Sequence, residues 1–136
     1  MEKKELVRNK VLFLVDDDID DQEIFKSALA EVDNSFIVLT ANNGYEALQV
    51  LSGDNIRPNY IFVDLNMPRM DGLQFLKEIK ATGILKNTPV IIYSTSSHPG
   101  DISKTKELGA VRFITKPSRF ADLRSLLQTL LSEKIS

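Results

Sequence analysis

The chain predicts a single α/β domain: a doubly wound, five-stranded parallel sheet with helices on both faces. Three observations carry that expectation. Short apolar, β-rich runs alternate five times with stretches of helical periodicity, the pattern of parallel strands joined by right-handed crossovers. The apolar runs are continuous rather than alternating in polarity, as they are in strands covered on both faces. At 136 residues and 43% hydrophobic content, the chain can bury one sizeable core rather than two.

After a charged lead-in over residues 1–9, Val11-Leu12-Phe13-Leu14-Val15 reads as the first strand, and it ends abruptly in Asp16-Asp17-Asp18. Ile24, Phe25, Ala28, Leu29 and Val32 then recur at helical spacing, with Asp20 and Glu23 placed as a capping pair. Phe36-Ile37-Val38-Leu39 is the second strand, and Asn42 or Asn43 opens a short helix carrying Ala47, Leu48 and Leu51. A loop from Asn55 to Asn59, containing Pro58, leads to the third strand, Tyr60-Ile61-Phe62-Val63.

That strand delivers Asp64, after which Pro68 and the Asp71-Gly72 pair break the chain into a loop. Leu73, Leu76 and Ile79 mark the next helix, and Thr82-Gly83 and Asn87-Thr88-Pro89 bound the loop beyond it. Val90-Ile91-Ile92-Tyr93 is the fourth strand, running into Ser94-Thr95-Ser96-Ser97. Pro99 to Leu108 reads as a weak helix. Gly100, Ser103 and Thr105 have poor propensity, and the apolar face is little more than Ile102 and Leu108, with Gly109 as the stop. Val111 to Thr115 is the fifth strand, followed by Lys116-Pro117. Ser118 is placed to cap a last helix whose apolar face holds Phe120, Leu123, Leu127 and Leu130. The expected organisation is one domain over residues 10–131 and a short tail over 132–136, with no output domain.

Composition excludes several functions. A net charge of −2 makes no electrostatic case for nucleic-acid binding. The absence of cysteine removes disulfides, thiolate metal sites and thiol catalysis, and suits a reducing compartment. His98 is the only histidine, so neither a histidine-based triad nor a histidine metal cluster can be built. No apolar stretch approaches the ~18 residues of a membrane span, and no apolar region follows the charged start as it would in a signal peptide. The expected location is the cytoplasm.

Polar residues gather where the strands end. Asp16 and Asp17, Asp64, Ser94 and Lys116 fall at or just beyond the carboxyl ends of strands one, three, four and five. In an open parallel sheet those ends lie along one edge, the edge where ligands bind. Singly, each residue has a plainer use: Asp64 as a cap, Ser94 as a turn residue, Lys116 on the surface, and Asp18, Asp20 and Asp21 in a solvated loop. Together they place three carboxylates, a hydroxyl and an ammonium in one crevice. Clustered carboxylates repel unless a cation joins them. Mg²⁺, with its preference for one or two carboxylates plus phosphate oxygens, is the natural partner. A carboxylate beside such a cation and a lysine can act as a nucleophile towards phosphorus, and phosphoryl transfer asks mainly for positioning and charge neutralisation.

Val15-Asp16-Asp17, the nonapeptide Asp64–Gly72, Pro89 to Ser94, and Lys116-Pro117 together resemble the receiver domain of bacterial two-component response regulators, from about Lys10 to Leu131. The resemblance implies a flavodoxin-like (βα)5 fold with strand order 2-1-3-4-5. It implies Asp64 as phosphoacceptor, with Asp17, Asp64 and the Asn66 backbone carbonyl binding Mg²⁺ (or Mn²⁺) directly and Asp16 doing so through water. Lys116 would contact the phosphoryl group, usually across a cis peptide to Pro117, Ser94 would be the switch hydroxyl and Phe113 the switch aromatic. Read from the residue alone, Phe113 faces the core permanently, the default for an aromatic in a strand. The family more often has Thr where Ser94 stands, but the hydroxyl is kept. Asn66 and Ser96 occupy positions that tune the phosphoryl lifetime in similar proteins. The implied activity is that of a signalling switch, limited to self-phosphorylation from a donor and autodephosphorylation. The implied donor is a histidine kinase or a histidine phosphotransfer protein. The implied target is another protein, without nucleic acid or membrane, and the domain itself is a monomer or a weak dimer through the 99–131 face.

Two other families share part of the pattern. Val15-Asp16-Asp17-Asp18 also resembles the start of haloacid-dehalogenase-type phosphatases, whose nucleophile would then be Asp16. Those enzymes want Thr or Val two residues after the second Asp of their motif, and this chain has Asp20 there. A flavodoxin-like cofactor carrier would need phosphate-binding backbone amides after the first strand, where three aspartates would repel the phosphate. A receiver that signals by binding alone, without phosphorylation, is the third alternative.

Overall fold

The computed structural model describes residues 10–53 and 56–133. The lead-in over 1–9, Asn55 at the start of its loop, and residues 134–136 of the tail lie outside the described residues. The elements are β1 (Lys10–Val15), α1 (Ile19–Val32), β2 (Phe36–Ala41), α2 (Gly44–Ser52), β3 (Tyr60–Val63), α3 (Gly72–Thr82), β4 (Val90–Ser94), α4 (Pro99–Glu107), β5 (Arg112–Thr115) and α5 (Phe120–Ser132). A 3₁₀ turn, Ile84–Lys86, lies in the loop before β4. The strands form one parallel sheet in the order β2-β1-β3-β4-β5, the order the resemblance implies.

Alternation along each strand splits the core in two. Leu12, Leu14, Phe62, Ile91 and Tyr93 point to one face and meet Phe25, Ala28 and Leu29 of α1 and Leu123, Leu127 and Leu130 of α5. Phe13, Val15, Ile61, Val63 and Ile92 point to the other and meet Ala47 of α2 and Phe75, Leu76 and Ile79 of α3. Both faces of β1 and β3 are covered, which is why, Lys10 at the start of β1 apart, their sequences are apolar at successive positions rather than at every second one. Four phenylalanines, Phe13, Phe25, Phe62 and Phe75, are fully buried, each stabilising the fold by about 1.5–3 kcal/mol relative to exposure.

Helix starts differ from expectation in two places. Asp18, not the Asp20–Glu23 pair, caps α1: its side chain accepts from the Asp21 amide at 3.0 Å. Ser118 does not cap α5, which starts a residue later, at Phe120, behind Arg119 and without a side-chain cap. Asn43 resolves the earlier choice at α2, accepting from the Glu46 amide at 2.9 Å. Some residues placed on apolar helical faces also turn out to be surface residues. Ile24, Ile102 and Phe120 are exposed, because each lies at the rim of its helix stripe, beyond the reach of the sheet. In α4 the buried residue is Thr105, and Leu108 packs on the core just past the helix end.

The β3–α3 loop sets the geometry of the sheet edge. Its Gly72 donates to the Leu65 carbonyl at 3.0 Å, folding the loop back onto the end of β3. A Cβ at this position would lie 2.4 Å from the Asp64 carbonyl oxygen and 2.9 Å from Leu65 Cα, both backbone atoms that cannot step aside. Asp71 caps the helix that follows, accepting from the Gln74 amide at 2.9 Å. At the far end of α3, Gly83 closes the helix in the left-handed region at φ 81°. Replacing Gly72 with Ala is expected to destabilise the domain by about 1–3 kcal/mol, the usual range for forced backbone shifts. Urea denaturation of Gly72→Ala beside Gly100→Ala, where the added methyl meets open space, tests this; equal stability of the two would refute it.

Candidate functional site

The carboxyl ends of β1 and β3 are in register, Val15 beside Val63, so the residues that follow, Asp16 and Asp64, emerge side by side. Their backbones are tied down: the Asp64 amide donates to the Val15 carbonyl at 2.9 Å, and the Asp16 amide to Ala41 at 3.0 Å. On the other side of β3, Val63 pairs with Ile92 of β4, which brings Tyr93 and Ser94 to the same edge. Ser94 in turn pairs with Thr115 at the end of β5, and the Lys116 amide donates to the Ser94 carbonyl at 2.8 Å. Four adjacent strands thus deliver the residues singled out in the sequence to one crevice.

Asp16, Asp64 and Ser94 are buried, while Asp17 and Asn66 are exposed. One carboxylate oxygen each from Asp16, Asp17 and Asp64 lies within 4.8 Å of the others. The Lys116 ammonium sits among the acids, 2.8 Å from Asp16 Oδ2, 2.9 Å from Asp64 Oδ2 and 2.8 Å from Asp21 Oδ2. It donates hydrogen bonds to Asp64 and Asp21. Its approach to Asp16 is close but outside hydrogen-bonding geometry, so the buried Oδ2 of Asp16 has no hydrogen bond, while Oδ1 accepts from the Asp18 amide at 3.0 Å. The ammonium also lies 5.4 Å from the centroid of the Tyr93 ring, a cation–π distance.

These contacts shift protonation. Burial pushes the Asp16 carboxyl above the usual carboxylate range, against the pull of Lys116 and the Asp18 amide. For Lys116 burial acts to lower the pKa, but its contacts with Asp16, Asp21 and Asp64 outweigh it and hold the ammonium above the ordinary lysine value. Burial pushes the Tyr93 hydroxyl up to about 12, opposed by Lys116.

Other expected residues occupy different settings. The Asn66 amide donates to Asp64 Oδ1 at 3.2 Å. Ser94 is not bonded to the acids; its Oγ accepts a long 3.4 Å bond from the Ser96 amide. Phe113 is half-buried and packs against the α2–α3 side of the core. No cis peptide occurs among the described residues, so the Lys116–Pro117 bond is trans, contrary to the form usual in the resembling family. The trans form is the ordinary preference by about 0.5–1 kcal/mol, and here Lys116 reaches the acids with it. His98 is exposed and stands at the N-cap, just before α4.

Two residues here were not anticipated. Asp21, expected in a solvated loop, binds Lys116 from the first turn of α1. Gln22 is buried beneath the acids; its Nε2 donates to the Asp16 carbonyl at 2.6 Å and to Asn42 Oδ1 at 3.1 Å. The signal for Gln22 was its position on the buried stripe of α1, three residues before Phe25. Asp21 carried none, since it is one of several aspartates in a run.

The donor set fits a hard divalent cation. It offers only oxygen atoms, three of them within reach of one ion, and includes a buried carboxylate oxygen with no hydrogen bond. The comparisons agree with this chemistry. The family described as the response regulator receiver domain matches residues 12–128. The chain belongs to that family. Response regulator Rcp1 of Synechocystis sp. is 32% identical to it, covering 90% of this chain and 87% of its own. Two-component response regulator ORR4 of Oryza sativa subsp. indica is 33% identical over 88% of this chain, which spans 59% of that relative's length. Among solved structures, the phosphorylated cyanobacterial phytochrome response regulator RcpA superposes with a TM-score of 0.81 at 34% identity, covering 90% of this chain and 91% of its own. The Mn²⁺-bound form of Rcp1 also gives a TM-score of 0.81, at 30% identity, covering 93% of this chain and 97% of its own. The receiver domain is thus a component of two-component signalling; of its relatives, Rcp1 is known in a Mn²⁺-bound form. Among its described residues no helix is long and apolar enough to cross a membrane.

The receiver's acids depend on Lys116 for compensation. Removing the lysine leaves buried like charges, and breaking such a buried set costs about 3–5 kcal/mol. Because the folded state holds the Asp16 proton more tightly than the unfolded chain, this group's contribution to stability falls as pH rises above the ordinary Asp range. In Lys116→Met that fall is expected to steepen. Urea titrations should show the variant losing more stability, relative to wild type, at about pH 7.5 than at about pH 4.5; a pH-independent difference would contradict the charge account.

Proposed function

We propose that this receiver domain accepts a phosphoryl group on Asp64 from a phosphohistidine donor, a histidine kinase or a histidine phosphotransfer protein. The reaction needs Mg²⁺ or Mn²⁺, and the modified domain presents an altered surface to a downstream protein. The observation that supports this best is the Lys116 ammonium lying 2.9 Å from Asp64 Oδ2 in the crevice that also holds Asp16 and Asp17. In the transfer, an Asp64 carboxylate oxygen forms a bond to phosphorus while the P–N bond to the donor imidazole breaks; the imidazole leaves with the bonding electron pair.

The chain's own residues supply position and charge. Asp64 is buried and held at the end of β3 by the Val15 carbonyl, so little reorganisation precedes attack. Lys116 is placed to meet a phosphoryl oxygen where it now meets Asp64, and the Ser94 hydroxyl lies on the next strand with only one long bond to give up. Asp16, Asp17, Asp64 and the Asn66 carbonyl are the groups that would hold the metal. A bound divalent cation supplies neutralisation of the developing charge on the phosphoryl oxygens. We read the domain as a switch, with no turnover beyond its own phosphorylation and dephosphorylation.

Incubation with Mg²⁺ and acetyl phosphate, followed by mass-spectrometric mapping, is expected to place the phosphoryl group on Asp64 and to need Asp17, so that both Asp64→Asn and Asp17→Asn reduce it at least about tenfold. Labelling that survives Asp64→Asn but is lost in Asp16→Asn would favour the phosphatase-like alternative.

The switch follows from charge. Phosphorylation adds roughly −1.5 to −2 charge and three acceptor oxygens at Asp64. Ser94 can donate to one of them by moving towards β3, which opens space behind it near Phe113, a neighbour across the β4–β5 pair at Ile92. α4 covers that edge, and its buried residue is a single threonine, so its displacement costs little. A beryllofluoride phosphoryl mimic is expected to alter amide exchange over residues 99–113. Changes restricted to the loops around Asp16, Asp64 and Lys116 would reject this route to the output surface.

A further inference from the structure

Lys116 has three N–H donors and three carboxylate neighbours, but the neighbours are not equivalent. Asp16 and Asp64 belong to the group whose oxygens converge within 4.8 Å as a cation site. Asp21 does not. It projects from the first turn of α1, with its backbone amide fixed by the Asp18 side chain at 3.0 Å. From there its Oδ2 reaches the ammonium at 2.8 Å and accepts a hydrogen bond, a contact between residues 95 apart in sequence. Its side chain is 34% exposed while that of Lys116 is 7% exposed, so Asp21 holds the ammonium from the solvent side.

We propose that Asp21 is a positioning residue for phosphoryl transfer: it is the anion that keeps the Lys116 ammonium at the pocket when Asp16 and Asp64 are engaged by a divalent cation. This rests on the reading of Asp64 as phosphoacceptor. The argument is one of competing charges. A cation bound by Asp16 and Asp64 takes over the two contacts that now attract Lys116, and it repels the ammonium directly. Without a further partner the lysine, on a flexible four-carbon stem, would swing towards solvent just when a phosphoryl oxygen needs it. Asp21 keeps its full charge in that state because it lies outside the cation-holding group. The Tyr93 ring, 5.4 Å from Nζ, adds attraction that no bound cation removes. Asp21 therefore keeps one N–H of Lys116 and leaves the others free for the incoming phosphoryl group.

The alternative is that Asp21 only complements the N-terminus of α1, where acidic residues are favourable. Asp20 occupies the same first turn and is exposed, so Asp20→Ala is the matched control for helix-end and net charge. The direct readout is the Lys116 ammonium resonance in the full chain labelled with ¹⁵N-lysine, assigned by its loss in Lys116→Arg. At saturating Mg²⁺ the signal is expected to persist in wild type and Asp20→Ala, vanish into fast solvent exchange in Asp21→Ala, and return in Asp21→Glu. In parallel, the rate of Asp64 labelling by acetyl phosphate at saturating Mg²⁺ is expected to fall about tenfold in Asp21→Ala, the scale of one lost charge-assisted hydrogen bond, and to recover in Asp21→Glu. The proposal is overturned if the resonance survives in Asp21→Ala, if Mg²⁺ abolishes it in wild type, or if Asp20→Ala behaves like Asp21→Ala. Absence of labelling on Asp64 in the wild type, with the ammonium still released by Asp21→Ala, would instead refute the phosphoacceptor reading and leave the positioning of Lys116 standing.

Discussion

The ammonium of Lys116 is the constraint around which this sheet edge is arranged. Three carboxylates converge on it at 2.8–2.9 Å, two of them buried, at distances where each unit-charge attraction is worth about 4 kcal/mol or more at an effective dielectric of 20. Those attractions offset a desolvation cost of several kcal/mol for each buried ion, so the lysine and the acids are tolerable only together. The arrangement holds the acids in place, with Oδ2 of Asp16 engaged by its ion-pair contact to Lys116 rather than by a hydrogen bond.

Such an arrangement needs a rigid frame, and the frame is the least exposed part of the molecule. β1 and β3 are apolar and covered on both faces, with phenylalanines from both helical layers packed against them. Asp16 and Asp64 leave that frame at its last residues, which confines their carboxyl groups more tightly than a loop origin would. The edge formed by α4 and β5 is different in kind. β5 has only exposed and half-buried residues, and α4 buries only Thr105. The stiff centre carries the clustered acids and the loosely covered edge lies where movement is cheap, with Ser94 on β4 between them.

Much of this was legible before folding. Strand positions stood out because a strand buried on both faces must be apolar throughout, and the site residues stood out because each follows such a run directly. Residues assigned to helix faces were less secure. Ile24, Ile102 and Phe120 satisfy the periodicity and are nevertheless exposed, since a helical stripe is wider than the strip of sheet available to cover it. Caps shifted by one or two residues for a related reason: several neighbouring Asp, Ser and Asn side chains could each serve, and the entry angle of the chain selects among them. Only the docking of each helix decides such matters.

By itself the sequence determined the strands, their parallel arrangement, and the set Asp16, Asp17, Asp64, Ser94 and Lys116 at one edge, because these follow from local hydrophobic pattern and from the one-edge rule of a parallel sheet. The tertiary structure alone decided which acids Lys116 binds. Asp21 stands in a run of aspartates with no local mark to set it apart, and its partner lies 95 residues further along the chain. Their contact exists because α1 and α5 pack on the same face of the sheet and the long Lys116 side chain reaches from beyond β5 to the first turn of α1. A contact made by packing two distant elements leaves no spacing in the sequence to read.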